Sequence, residues 1–292
     1  IKTICREESV FMRYGYLDNR FHSHKPPQQV QLYHRIKAKI RGSQQPLYIG
    51  GSLHVKLPVK GRSIIYTYIR KNGCSAFKTW LRDYRGYQAG HGEIRKMAEY
   101  YGVSRPEEIK QSDRLLILRD PVNRTASLFR NKLIQQSSST DIERNIKAIT
   151  GEDPKNLTFR TFVEKYVSEH ISYQSLAANK IDIHAAPQYL HLWPIIYNRV
   201  VLLKDLSATA ADLFPSQVFR TYFDAPRNSS SYYVKIDEDA SDISVQELRE
   251  NFITDQTLPS ANALADRQLR SEIESIYEKD YEIIKSSFKY ES

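Results

Sequence analysis

Apolar residues in this chain fall into short unbroken runs, most of them followed by stretches of helical periodicity. Ile64-Ile65-Tyr66-Thr67-Tyr68-Ile69 and Leu115-Leu116-Ile117-Leu118 are continuous apolar, β-branched or aromatic runs, the pattern of strands buried on both faces. Tyr197 to Lys204 predicts a third such strand, and 232–236 a short further one. Leu53, Val55, Leu57 and Val59 alternate with polar residues, and Pro58 predicts that this strand lies at a sheet edge. Helical patterns fill the intervals. Ala76-Phe77-Lys78-Thr79-Trp80-Leu81 opens one directly after the first central strand. Residues 135–170 read as two helical pieces, capped by Asp141 and Thr158 and broken at Gly151-Glu152-Asp153-Pro154. Short helices are expected near 104–110 and 206–213, with capping boxes at Ser104/Glu107 and Ser244/Glu247. A last helix is expected over 261–287. Val30, Tyr33, Ile36 and Ile40 predict a basic amphipathic helix in an N-terminal extension, 1–60, packed on a single domain whose core spans 61–292. Strands alternating with helices predict an α/β fold around a mainly parallel sheet.

The chain is organised around one strand–turn–helix, and its turn carries the chemistry: Arg70-Lys71-Asn72-Gly73-Cys74-Ser75, followed by Ala76. The first N–H groups of a helix have no intrahelical partner, and the helix dipole favours negative charge there. Gly73 permits the turn, Lys71 brings a mobile positive charge and Ser75 a hydroxyl donor. The guest expected is a phosphate or a sulfate. The nucleotide-triphosphate loop has its lysine after its second glycine; here Lys71 comes two residues before Gly73. An ordinary strand–turn–helix is the alternative.

A second stretch, Arg119-Asp120-Pro121-Val122-Asn123-Arg124-Thr125-Ala126-Ser127, follows another buried strand. Asp120 suits a helix cap and Pro121 its first position. The order Lys-Asn-Gly-Cys-Ser resembles the phosphosulfate loop of sulfotransferases, which use 3′-phosphoadenosine 5′-phosphosulfate (PAPS). Arg119 and Ser127, eight residues apart, resemble their 3′-phosphate motif. Arg-Asp-Pro-x-x-Arg-x-x-Ser followed by Arg130-Asn131-Lys132 is similar to the carbohydrate branch, Golgi-type and bacterial (sulfotransferase family 2-like). For Arg124 and Arg130 the alternative is solvated arginines on an amphipathic helix. Asp182-Ile183-His184-Ala185-Ala186-Pro187-Gln188 resembles a further motif of that branch, with Ala185 where a tryptophan often stands. Ile276 to Tyr281 resembles the family's C-terminal end. The resemblance spans about 64–287 and leaves 1–60 without a match.

The resemblance implies a three-layer α/β/α, P-loop NTPase-like fold and transfer of a sulfuryl group from PAPS to a carbohydrate hydroxyl. Arg70, Lys71, Asn72, Gly73, Cys74, Ser75 and Ala76 would hold the 5′-phosphosulfate, with Lys71 neutralising the leaving oxygen. Arg119 and Ser127 would hold the 3′-phosphate. Arg227, with Ser229, is a looser candidate in a late polar loop, where a plain surface loop is the competing reading. An acceptor hydroxyl needs a general base. His91, Glu93 and His184 are the candidates, His91 first, because it follows the loop helix. No metal is expected. Cys74 reads as small loop packing and not as a nucleophile.

Bulk properties narrow the setting. Lys plus Arg number 43 against 34 acids, a formal +9, which suits a polyanionic partner: nucleic acid, an acidic glycan such as a polysaccharide or glycolipid, or a cofactor with several charges. No nucleic-acid motif, zinc spacing or repeat is found, so nucleic acid is not the expected partner. Two cysteines, Cys5 and Cys74, suit a reducing compartment and favour a bacterial cytoplasmic enzyme. The first residue is Ile1, so a removed anchor would make the Golgi lumen the alternative. No run of eighteen apolar residues is long enough to span a bilayer as a helix. Two other classes compete: a P-loop-like kinase, which would need a magnesium carboxylate such as Asp120, and a non-catalytic binder of acidic glycan or nucleic acid.

Overall fold

The computed structural model describes residues 53–90, 93–103, 111–137, 140–168, 181–192, 197–225 and 233–288. The helix expected near 30–40, the Ser104/Glu107 capping box, His91, Arg227 and Ser229 lie outside them. The chain forms two compact units. One comprises residues 53–118, 188–225 and the helix end from Glu282; the other comprises 119–187 and 233–281.

The first unit is built on a four-stranded sheet in the order β1 (Leu53–Leu57), β2 (Ile64–Tyr68), β3 (Asp113–Leu118), β4 (Arg199–Leu202). β2 is buried at all five positions and β3 at its last four, as their unbroken apolar runs require of central strands. β1 alternates less strictly, pairs antiparallel with β2, and stops before Pro58 at the sheet edge. β2 and β3 are parallel neighbours, with Tyr66 opposite Leu115; β3 and β4 are parallel, with Leu116 opposite Val200. The α/β expectation with a mainly parallel sheet therefore holds.

Helix α1 (Cys74–Arg85) follows β2, and α2 (Glu93–Tyr101) follows α1. α1 starts two residues earlier than its apolar pattern predicts, which brings Cys74 and Ser75 into its first turn. Phe77, Trp80 and Leu81, at i, i+3 and i+4, form its buried face. Phe77 stacks on Tyr66 of β2 with ring centroids 3.9 Å apart and meets Phe223 edge-on at 4.9 Å. Burying each such side chain contributes roughly 1.5–3 kcal/mol, so α1 is held by its apolar face. Ile69, Leu116, Leu118, Tyr197 and Ile283 form a separate cluster of the same unit.

In the second unit, α3 (Pro121–Phe129) is capped by Asp120 and runs into a π-helical turn, Arg130–Ile134. Thr158 and Ser244 cap their helices as their spacing predicts, by accepting from the backbone N–H of Thr161 and Glu247. The helix expected to begin after Asp141 begins at Thr140, and Asp141 sits in its first turn, where its charge suits the dipole. β5 (Val234–Ile236) and β6 (Thr257–Pro259) make a small parallel pair. The single helix expected over 261–287 is three: Ala261–Leu264, Arg267–Ile276 and Glu278–Phe288. Ala265 is extended, and Asp266 caps a new start by accepting from Leu269 N–H at 2.8 Å.

Arg124 and Arg130 are neither solvated nor displayed: both are buried in this unit. Arg130 donates to the Pro259 carbonyl at 3.0 Å, and burial lowers its pKa. Burial pushes the Tyr277 hydroxyl up to about 12, against the pull of the Arg124 charge.

Candidate functional site

Because β2 and β3 are parallel neighbours, both end at the same edge of the sheet. The 70–75 loop continues β2, and Arg119 is the residue that follows β3. In open α/β sheets, ligands bind outside the carboxyl ends of the strands.

The loop has an unusual backbone. Lys71 and Gly73 both occupy the left-handed region, at φ 69° and 74°. For glycine this is free; for lysine it costs roughly 1 kcal/mol. Gly73 is also the N-cap of α1, and it has no side chain with which to cap. A Cβ there would lie 2.8 Å from Leu203 Cδ1 and 2.9 Å from Leu206 Cδ2. No acidic residue stands in the first turn of α1. The loop thus offers backbone N–H groups at a helix N-terminus, Arg70 and Lys71 just ahead and the Ser75 hydroxyl beside them. That donor set fits a phosphate or sulfate ester.

Side chains around the loop separate by role. Arg70, Lys71, Cys74 and Ser75 are partly exposed, whereas Ala76 is buried. Burial raises the Tyr68 hydroxyl well above its ordinary pKa, helped by the Cys74 thiol. That hydroxyl hydrogen-bonds with Cys74 and Arg70, so the thiol packs at the root of the loop. The Asn72 side chain turns inward from the loop. It is fully buried, and its Nδ2 donates to the Ile117 carbonyl at 2.8 Å and to Gln188 Oε1.

Glu93, a candidate base, is the first residue of α2, and its carboxylate faces two cations. Its Oε2 accepts from Lys78 Nζ at 2.9 Å, and Arg82 Nη1 lies 3.5 Å from Oε1. That ion pair ties α2 to α1.

In the second unit, Asp120 is committed twice. Its Oδ1 accepts from the Asn123 backbone and side chain at 2.8 and 2.9 Å, and its Oδ2 accepts from Tyr281 at 3.0 Å. Arg119 and Ser127 are partly exposed, while Arg124 to Ala126 and Leu128 to Arg130 are buried. His184 is held by Asp182: Nδ1 and the backbone N–H both meet Asp182 Oδ1, the latter at 2.7 Å. Tyr166 Oη accepts from Asp182 N–H at 2.9 Å. Among the described residues no cluster of three potential metal ligands exists.

Two participants were not singled out by spacing. Asp182 and Gln188 lie inside the Asp-x-His-x-x-Pro-Gln string, but nothing local says that one holds the histidine and the other reaches Asn72.

A family model described as "Sulfotransferase family" matches residues 59–290. No curated protein and no solved structure matches the chain.

Proposed function

The chain belongs to the sulfotransferase family, and on that premise we propose that it moves the sulfuryl group of PAPS to a hydroxyl of a carbohydrate acceptor. The family implies PAPS as donor. The observation that carries the reading is the loop: an acid-free helix N-terminus, opened by a left-handed Gly73 and preceded by Lys71.

The chemistry is a displacement at sulfur. The bond from sulfur to the bridging oxygen of the 5′-phosphate breaks, and its electron pair stays on that oxygen. A new bond forms from sulfur to the acceptor oxygen, whose proton passes to a base. Catalysis of such a loose transfer is mostly placement and charge. Lys71 neutralises the bridging oxygen, and the N–H groups of Gly73, Cys74 and Ser75 hold the 5′-phosphate. Arg119 and Ser127 hold the 3′-phosphate that distinguishes PAPS from ATP. Of the candidate bases, His184 has the arrangement a base needs. The Asp182 carboxylate meets its Nδ1 and fixes the orientation of the ring. His91 is the second candidate. The ion pairs of Glu93 favour a structural role. The excess of 9 positive charges supports an acidic polysaccharide as acceptor.

The kinase reading would need Asp120 as a magnesium ligand, and both of its oxygens are already engaged. Calorimetric titration with 3′-phosphoadenosine 5′-phosphate (PAP), ADP and ATP, with and without magnesium, separates the readings. Metal-independent binding that needs the 3′-phosphate and is lost in Arg119→Ala supports the transferase; magnesium-dependent preference for ATP overturns it. Transfer of radiolabelled sulfate from PAPS to a panel of neutral and acidic polysaccharides then tests the acceptor class.

A further inference from the structure

We propose that Asn72 and Gln188 form a clamp that positions Lys71, an inference that rests on the transferase reading. The polarity of the clamp follows from one atom. The Ile117 carbonyl can only accept, so the Asn72 atom 2.8 Å from it must be the amide nitrogen. That nitrogen also meets Gln188, so Gln188 must present its oxygen. Both hydrogens of the Asn72 amide are thereby used, and both orientations are determined without reference to hydrogen positions. Ile117 is a buried residue of β3, and Gln188 is itself fully buried. The loop's one inward side chain is therefore tied to two buried residues of its own unit.

The clamped residue stands between two in the left-handed region, Lys71 and Gly73. A non-glycine residue persists in that region only where its surroundings over-determine it. Asn72 supplies that constraint from the adjacent position, with its backbone N–H reaching the Ile69 carbonyl at 3.4 Å. Stability alone does not explain the arrangement. Asn72 Oδ1 is buried and has no hydrogen-bond partner, which costs about 1–3 kcal/mol. What the pair achieves is a lysine whose backbone cannot relax away from the anion site.

Gln188 is thus a positioning residue, acting through Asn72 on Lys71. The test is a double-mutant cycle on PAP release from PAPS with water as acceptor, so that the unidentified hydroxyl does not enter. Gln188→Leu removes the accepting oxygen at similar volume. It should lower kcat about tenfold, as one lost neutral hydrogen bond would. Calorimetric PAP affinity should change by less than ~3-fold, because the phosphate donors remain. Gln188→Glu, which keeps an oxygen there, should recover most of the rate. In the Lys71→Ala background, Gln188→Leu should cost no more than ~2-fold. Equal losses in both backgrounds, or an unchanged kcat, would overturn the clamp alone. Wild-type protein that neither binds PAP nor consumes PAPS would overturn the transferase reading and the clamp's catalytic role with it. Asn72→Ala, which deletes both bonds, is the second variant should Gln188→Leu fail to fold, and the same outcomes decide.

Discussion

Tyr281 donates its hydroxyl to Asp120 Oδ2 at 3.0 Å, joining the last helix to the cap of α3 across 161 positions. With Asn123 on its other oxygen, Asp120 is a structural carboxylate. Asp120→Ala should cost about 1–2 kcal/mol in urea unfolding through loss of the cap. Tyr281→Phe should cost ~1 kcal/mol, and the double variant less than the sum. Magnesium should leave wild-type PAP binding unchanged. A magnesium-dependent affinity that disappears in Asp120→Ala would mean that the carboxylate is a metal ligand instead.

Gly73 should tolerate no side chain. Gly73→Ala meets Leu203 and Leu206 at 2.8 and 2.9 Å and must hold φ near 74°. Crowding costs about 1–3 kcal/mol and the backbone roughly 1 more. The variant should show a lower Tm and weaker PAP binding together. Unchanged PAP affinity in a destabilised protein would separate the loop from the anion site.

Lys71→Ala should remove charge stabilisation that matters most in the transition state. A loss of roughly 10²–10³ in kcat is expected, with PAP affinity changed far less. If affinity and rate fell in parallel, Lys71 would be a ground-state ligand only.

Among the candidate bases, Glu93→Gln should leave kcat within a few-fold. It should cost about 1 kcal/mol or less, as expected for partly exposed ion pairs. His184→Ala should lower kcat by ~10²–10⁴ and flatten the acid limb of the rate profile. A near-wild-type rate in His184→Ala would pass the role to His91, for which the same substitution is the next measurement.

His54 predicts an acid-sensitive fold. Its ring is buried, Nδ1 meets Thr67 Oγ1 at 2.9 Å, and burial lowers its pKa to about 3 from 6.5. The folded value lies below the unfolded one, so the unfolded chain takes up the proton first as pH falls. The stability this neutral ring allows is complete above pH 6.5 and is lost progressively towards pH 3. The slope approaches ~1.4 kcal/mol per pH unit. The difference in unfolding free energy between wild type and His54→Gln, followed from pH 7 to pH 4.5, should narrow as pH falls. A constant difference would show that His54 is not protonated on unfolding.

The strands, the caps and the order of the loop were legible from the chain alone because each depends on neighbours only a few residues away. An unbroken run such as Leu115–Leu118 has no polar face to show to water, so it must become a central strand. Asp120-Pro121, Thr158 and Ser244 declare their helices because a cap bonds two or three residues ahead. Lys71, Gly73 and Ser75 read as an anion site for the same reason: the donors of a helix N-terminus are local. What tertiary structure decided are the polar residues whose partners lie far off in sequence. Asn72 reads as one more donor in a polar loop until Ile117 and Gln188, 45 and 116 positions away, turn it inward. Arg130 reads as a solvated or ligand arginine until the Pro259 carbonyl, 129 positions away, meets it inside the core. Glu93 reads as a possible base, and only the fold brings Lys78 and Arg82 to its carboxylate. The long C-terminal helix breaks where Asp266 caps a new start and Arg160, 106 positions earlier, holds its other oxygen. A buried polar group needs a partner, and only the folded chain determines which partner arrives.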